Sequence, residues 1–224
     1  MSVTALSVSM PDIQAKEFKI GGITITETMI SFSVVVLALI IAAAIIRIFF
    51  IPRWEKSNKV GSFQLLLEGL VNMVDSTAQE LIGPKTTFVG SVYFTAACFI
   101  ALGTLIEMFG LRPPISDFNV TLVLGLFTFI IIQIYGIRKR KAKRLLRYLN
   151  PINIVTDGVV PFSLALRMFG SVFSGYLIMH LIYSLPFPIA YPLLGNLIFT
   201  VFHAIMQSYV FIMLSICFIS EALD

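Results

Sequence analysis

The stretch PFSLALRMFGSVFSGYLIMHLIYSLPF, residues 161–187, decides the class of this protein. It is a long apolar segment that contains Arg167, and no other Lys or Arg follows Arg147 in the chain. An arginine keeps its proton at any ordinary pH, and placing it at the centre of a bilayer costs about 2.5–3.5 kcal/mol. Either the side chain reaches the interface or pairs with a structural carboxylate, or the charge marks an ion path.

The rest of the chain is also strongly apolar. Of its 224 residues, 58% are hydrophobic and 12% are charged, which excludes a soluble globular domain. Its apolar stretches reach the roughly 20 residues that a helix needs to cross a bilayer, and they lack the period-two alternation of a membrane β-barrel. The predicted fold class is an all-α integral membrane protein with about five transmembrane helices, an amphipathic helix at the cytoplasmic surface and a long tilted hairpin of the last two helices.

Hydropathy and helix-stopping residues divide a single membrane domain, 1–224, into successive parts. They are an external N-terminal tail (1–26), a first span (27–51), an amphipathic interfacial helix (62–82), a helical pair (88–137), a basic cytoplasmic loop (138–150) and a tilted hairpin that holds the ion path (151–221). The hairpin helices are longer than the bilayer is thick at about 1.5 Å per residue, so we expect them to tilt.

The distribution of basic residues predicts the orientation. Three fall on one side of the predicted spans, Lys16, Lys19 and Arg112, and twelve on the other: Arg47, Arg53, Lys56, Lys59, Lys85 and the seven from Arg138 to Arg147. The positive-inside rule then places the N-terminus outside and the C-terminus in the cytoplasm. The basic run directly follows a span, which favours contact with lipid headgroups over binding to nucleic acid.

Several kinds of chemistry are not expected in this chain. Cys98 and Cys217 are far apart in apolar segments, which argues against a disulfide framework or a metal-binding cluster. No glycine-rich phosphate loop with a following lysine occurs, so nucleotide chemistry should take place elsewhere. We therefore predict no cofactor and no stable metal. The N-terminus also lacks the basic and apolar regions of a cleaved signal, so we expect the first hydrophobic helix to remain.

Polar residues form a stripe on each of the last two predicted helices. Arg167 belongs to the first stripe and Gln207 to the second, and the full sets at helical spacing are Ser163, Arg167, Ser171 and Ser174, and Asn196, Thr200, His203 and Gln207. Two facing polar stripes within a membrane predict a hydrated ion route. Taken singly, each hydroxyl can instead bond back to its own helix, and His203 can be a packed core residue.

These residues resemble subunit a of the F-type ATP synthases. The string P-x-S-L-x-L-R-x-F-G at 161–170 is similar to the signature of that family. The segments PPISDFNVTL and PIN, and the last-helix residues Gln207, Tyr209, Phe211 and Leu214, resemble further elements of the family in the same order. The resemblance extends from about Ser62 to the C-terminus.

The resemblance implies a stator subunit, with the remainder of the ATP synthase and peripheral-stalk subunit b as partners. The tilted hairpin would pack against a ring of c subunits, and two offset half-channels would carry an ion to and from a carboxylate on the ring. Arg167 would face that carboxylate and Gln207 would help to position it. Asp117, Asn119 and the last-helix stripe would form the outer route, and Ser163 the inner one near Asn153 and Asp157. The implied location is a bacterial inner membrane.

Some positions depart from the commoner family pattern. Ser171 replaces an asparagine, Tyr176 an acidic residue or histidine, and Asn153 an acidic residue, while Thr200 occupies the position that usually partners that of Tyr176. The route is therefore poor in titratable groups and rich in neutral oxygens, which suits transient sodium as well as protons. The coupling ion stays open at this point.

Two alternatives belong to other functional classes. In a secondary transporter or channel subunit, Arg167 would bind an anionic substrate, but no inverted repeats or discontinuous helices are visible in the sequence. A purely structural membrane scaffold would leave the arginine and both stripes without a purpose. Copurification with a c-ring and an ATP-hydrolysing head would distinguish a synthase subunit from both alternatives.

Overall fold

The computed structural model of the chain describes residues 17–20, 23–52, 61–83, 87–109, 112–140, 151–184 and 190–223. Two short strands, β1 (Glu17–Ile20) and β2 (Ile23–Thr26), come first. The helices follow as α1 (Glu27–Ile45), α2 (Ser62–Ile82), α3 (Thr87–Leu105), α4 (Phe118–Arg140), α5 (Pro151–Ser184) and α6 (Ala190–Leu223). A π-helical turn, Ile46–Phe50, extends α1, and a 3-10 turn, Ile106–Phe109, extends α3.

The prediction of five transmembrane helices is confirmed. Among the described residues, five helical segments are long and apolar enough to cross a membrane: Glu27–Phe50, Phe88–Met108, Phe118–Arg138, Val155–Gly175 and Leu197–Leu223. Large apolar side chains cover much of the outside of the bundle, as lipid contact requires; Leu37 of α1, for example, is 62% exposed. The chain is an α-helical, multi-pass membrane protein.

The prediction of an all-α chain omitted a β-hairpin at the start of the described chain. Strands β1 and β2 pair antiparallel, with Glu17 opposite Thr26 and Ile20 opposite Ile23. The β-branched residues of ITIT favour an extended backbone, and α1 begins directly after them at Glu27. The hairpin is a small addition to a helical bundle.

Helix α2 is amphipathic, as its sequence pattern indicates. Val74 and Ala78 are buried against the bundle, whereas Leu65 and Leu66 are more than half exposed. The hydroxyl of Ser220, near the end of α6, donates a 2.8 Å hydrogen bond to the carbonyl oxygen of Leu81. The helix therefore lies at the end of the bundle where α6 terminates, with an apolar side left free for a membrane surface.

The core of the bundle draws on all six helices and includes a close contact between α3 and α6. Tyr93 is fully buried, and its ring meets that of Phe211 edge to face with centroids 6.2 Å apart. The hydroxyl of Ser208 donates a 3.2 Å hydrogen bond to the carbonyl oxygen of Ala97. Since Tyr93 precedes Ala97 while Phe211 follows Ser208, the two helices run antiparallel.

Helix α4 approaches α5 through a glycine. A Cβ on Gly125 would lie 2.6 Å from the carbonyl oxygen of Pro161, which stands inside α5. A proline inside a helix removes one backbone hydrogen bond and distorts the turn around it. The residue at position 125 must therefore be glycine for the two backbones to meet at this point.

Helices α5 and α6 are each 34 residues long, or about 51 Å at 1.5 Å per residue, well beyond the roughly 30 Å of a hydrocarbon core.

The predicted helical pair (88–137) and the predicted hairpin (151–221) each end a few residues later in the structure. Helix α4 continues through Arg140 into the start of the predicted basic loop, and α6 continues through Leu223. The tilt of the hairpin stays a prediction.

Candidate functional site

Arg167 lies on the outward side of α5. Its side chain is exposed, while Leu164 and Met168, on the adjacent side of the helix, are almost fully buried. No carboxylate of the described residues forms an ion pair with it. The alternative that Arg167 pairs with a structural carboxylate therefore finds no support among the described residues, and the guanidinium is exposed at the surface of the bundle.

The surface around Arg167 is apolar. On α5, Phe162 and Leu166 are each 56% exposed. A charge in the middle of a membrane-facing apolar surface is unfavourable unless a partner compensates for it. A negatively charged group at this surface would compensate for the charge of Arg167.

A close contact fixes the register of α5 against α6. A Cβ on Gly175 would lie 3.1 Å from Cε1 of Phe199, so these two residues are level with each other. The helices are joined by a short connection and run antiparallel. Arg167 is eight residues before Gly175, and Gln207 is eight residues after Phe199. Both lie about 12 Å from the contact in the same direction, which places them at the same level.

The same register aligns two further pairs of residues from the two stripes. Ser171 is level with His203, and Ser174 with Thr200, because each pair is equally distant from the contact of Gly175 with Phe199. The polar spacing that the sequence displays on each helix is thus matched across the hairpin.

The two stripes differ in exposure. On α5, Ser174 is exposed and Ser163 and Ser171 are half-buried; the hydroxyl of Ser171 bonds back to the carbonyl oxygen of Met168 at 2.8 Å. On α6, Thr200 is 2% and Gln207 7% exposed. Arg167 and Ser174 of the α5 stripe are therefore exposed, whereas Thr200 and Gln207 of the α6 stripe are buried.

His203 occupies the middle of the α6 stripe. Its ring stacks on that of Phe199, with centroids 5.9 Å apart and planes 16° from parallel. Its Nε2 atom is buried and has no hydrogen-bond partner among the described residues. Tyr176 and Asn196, two further predicted path residues, lie on α5 and α6, but their side chains lie outside the described part of the chain.

Asp117 and Asn119 stand at the start of α4. The backbone N–H of Asn119 donates a 3.0 Å hydrogen bond to Asp117 Oδ1, which is the usual contact of an N-cap residue, and the hydroxyl of Thr28 approaches Oδ2 at 3.5 Å. The next residue, Phe118, meets Phe169 edge to face at 5.9 Å. Both predicted path residues therefore lie beside the turn of α5 that carries Arg167, and Asp117 also has a structural task there.

Sequence reasoning missed two features near this site. The contact of Gly125 with Pro161 depends on how α4 packs against α5, although a glycine in an apolar helix was a signal of close approach. The second is Glu107, a half-buried acidic residue in the turn that follows α3. A charge within an apolar span could have identified it.

Known proteins are similar to this chain over most of its length. The family model described as the ATP synthase A chain matches residues 34–220. The chain is 30% identical over 200 residues to ATP synthase subunit a 2 of Acaryochloris marina, with 82% of each chain covered. It is 29% identical over 218 residues to ATP synthase subunit a of Moorella thermoacetica, covering 91% of this chain and 94% of that one.

A third relative is ATP synthase subunit a of Coxiella burnetii. Its alignment with this chain is 228 residues long, gaps included, shows 27% identity, and covers 87% of this chain and 86% of the relative. The resemblance found in the sequence is confirmed, and it extends across nearly all of the described bundle. The chain belongs to the family of subunit a of the F-type ATP synthases.

Proposed function

We propose that this subunit provides two ion half-channels beside a ring of c subunits and couples ion flow across the membrane to rotation of that ring. The observation that carries the proposal is the exposure of Arg167 on an apolar surface, with no carboxylate paired to it among the described residues. A passing carboxylate on the ring would supply the missing negative charge.

The role of Arg167 follows from its permanent charge. A guanidinium close to a carboxylate stabilises the ionised form of that carboxylate, and the effect is strong where water is scarce. Each ring carboxylate therefore releases its ion as it reaches Arg167 and binds another after it has passed. The same positive charge repels a cation that would otherwise leak directly from one half-channel to the other.

Gln207 is the proposed positioning residue for Arg167. It is buried, lies on the facing helix and is at the same level as Arg167. Its amide oxygen can accept a hydrogen bond from the guanidinium without neutralising the charge. Removing it would leave Arg167 charged but less restricted in orientation.

We propose that the two half-channels lie on opposite sides of the level that Arg167 and Gln207 share. We call the end where α5 finishes and α6 begins the hairpin end. The outer half-channel starts there, and the residues proposed along it are Ser174, Tyr176, Asn196, Thr200 and His203. Asp117 and Asn119 lie beside it. The inner one runs from the start of α5 past Asn153, Asp157 and Ser163. The amide nitrogen of Gln133 on α4 lies 3.5 Å from Asp157 Oδ2 on α5, and this contact between polar groups supports the proposed inner route.

The proposed setting is a bacterial inner membrane with the hairpin end outside. The N-terminus would lie outside, and α2, the basic loop and the C-terminus would lie on the cytoplasmic side, following the excess of basic residues. Peripheral-stalk subunit b and the c-ring are the proposed direct partners, and ATP chemistry belongs to the soluble head of the complex.

The outward exposure of Arg167 favours this function over a secondary transporter. A transporter binds its substrate near the bilayer midplane between its own helices, so an anion-binding arginine would line an internal cavity. In this chain the arginine instead points away from the buried side of α5.

The test is ATP synthesis by the purified complex in liposomes. One set of vesicles receives a proton gradient and a potential, and another receives a sodium gradient and a potential with a protonophore present. Synthesis in either set supports the proposal and identifies the coupling ion. A complete complex that hydrolyses ATP but makes none under either gradient would contradict it.

A further inference from the structure

Glu107 is an acidic residue without a role in the route proposed above. It is the charged residue of the candidate span Phe88–Met108 and lies in the 3-10 turn that extends α3. Its side chain is half-buried, and no hydrogen bond or ion pair involves it among the described residues. A carboxyl group at such a position is costly to keep unless it is used.

The packing of α3 against α6 places Glu107 beside the α6 stripe. Ser208 contacts Ala97, and the helices are antiparallel. Glu107 is ten residues after Ala97, and Ile198 is ten residues before Ser208, so these two are level. The turn that holds Glu107 packs against α6 directly. Glu107 is therefore at the height of the first turns of the α6 stripe, within about 3 Å of the level of Thr200.

His203 is the next titratable group along that stripe. It lies between Thr200 and Gln207, about 6 Å from the level of Gln207, and its buried Nε2 lacks a partner among the described residues. A buried imidazole nitrogen ordinarily has a hydrogen bond to a protein group or to water. His203 Nε2 is therefore able to accept a proton or a hydrogen bond from water.

The other charged groups near the hairpin end have different surroundings. Asp117 accepts hydrogen bonds from Asn119 and Thr28, and Arg112 donates a 3.1 Å hydrogen bond from Nε to the hydroxyl of Ser116. Glu27 stands in the first turn of α1, and Arg167 is on α5. Glu107 and His203 are thus two titratable groups without such partners among the described residues, at successive levels along the α6 stripe.

We infer that Glu107 and His203 form a proton relay in the outer half-channel, so that the carboxylate of the relay comes from the end of α3 and not from the hairpin. The inference rests on the proposed function and makes the proton the coupling ion. A proton from outer water binds the Glu107 carboxylate, passes through water to His203 Nε2, and leaves towards the level of Arg167 and Gln207. Once the proton has left Nε2, Glu107 is again a carboxylate and His203 is again neutral, so one proton has moved and both groups are in their initial state.

The competing explanation is structural. Glu107 is near the end of its span and could extend its carboxylate to the interface, while His203 could serve only to stack on Phe199. Two substitutions separate these possibilities. Glu107→Gln keeps the size and polarity of the side chain but cannot carry a proton, and His203→Phe keeps a ring on Phe199 but cannot carry one either.

The experiment measures passive proton conductance of the membrane sector in liposomes after removal of the soluble head. We expect Glu107→Gln and His203→Phe each to lower the conductance by at least about tenfold, and Glu107→Asp to recover part of it. Glu27→Gln is the matched control, because it removes an acidic group from the start of another span, and its conductance should equal that of the wild type.

The outcomes separate the inference from the proposed function. A wild-type sector that conducts neither protons nor sodium contradicts the proposed function itself. A conducting wild type with unchanged Glu107→Gln and His203→Phe variants overturns the relay alone, and so does a wild type that conducts sodium only. If a variant fails to assemble, Glu107→Cys in a Cys98→Ser, Cys217→Ser background decides: proton conductance that rises when iodoacetate restores a carboxylate, and not when iodoacetamide adds a neutral amide, supports the relay, and equal conductance after the two reagents overturns it.

Discussion

Phe199 of α6 lies against Gly175 of α5, where a Cβ would be 3.1 Å from Cε1 of the ring. This contact sets the height of Arg167 relative to Gln207, because each is eight residues from it in the same direction. Small residues commonly allow such close helix approach in membranes. The site is therefore positioned by a packing contact about 12 Å away from its charge.

We predict that Gly175→Ala reduces coupled ATP synthesis with little loss of assembly. The new methyl group needs the ring of Phe199 to move by a few tenths of an ångström, which shifts α6 relative to Arg167. Gly158→Ala on the same helix is the control, since its Cβ would meet nothing within 4 Å. Equal synthesis rates for the two variants in liposomes would contradict the proposed effect of the register.

Gly125→Ala should be more harmful than Gly175→Ala. Its Cβ would lie 2.6 Å from a backbone oxygen, that of Pro161, which cannot rotate away as a side chain can. Forcing an extra carbon into a close-packed contact typically costs about 1–3 kcal/mol. The measurement is thermal dissociation of the purified complex, again with Gly158→Ala as the reference; a melting profile equal to that of the reference would refute the close contact.

Much of this bundle could be predicted from the sequence, because hydropathy and helical spacing are local properties. The five spans, the amphipathic α2, Arg167 and both polar stripes follow from them. The contacts of Gly125 with Pro161 and of Phe118 with Phe169 could not be predicted, because they depend on which faces of separate helices meet. The β-hairpin was missed although its strands flank a pair of glycines, a recognised turn signal.

Asp117 allows its structural and ionic tasks to be separated. Asp117→Asn retains an N-cap oxygen for the N–H of Asn119 but removes the charge, while Asp117→Ala removes both. If the charge serves the outer route, both variants should lose proton flux. If only the cap matters, Asp117→Asn should resemble the wild type, and Asp117→Ala should lose about 1 kcal/mol of stability. We predict the first pattern, measured as proton conductance and thermal stability of each variant.

Gln207→Leu should impair coupling more mildly than loss of the arginine. Leucine fills a similar volume at this buried position but cannot accept a hydrogen bond from Arg167. The loss of one such bond, about 1 kcal/mol, would slow ion-driven synthesis by about fivefold. Gln207→Glu, which keeps an acceptor but adds a negative charge, should be worse than Gln207→Leu because it neutralises the arginine. A normal rate for both variants would exclude Gln207 from the site.

The most direct test of the central claim concerns the charge of Arg167. ATP synthesis driven by an imposed ion gradient is measured for complexes that carry Arg167→Ala or Arg167→Lys, with Arg138→Ala at the far end of α4 as the control. We predict that both Arg167 variants assemble and hydrolyse ATP in the head but make no ATP from the gradient, since lysine lacks the planar guanidinium and can lose its proton when desolvated. The control should make ATP at the normal rate. Gradient-driven synthesis by assembled Arg167→Ala complexes would contradict the claim that this charge couples ion flow to rotation.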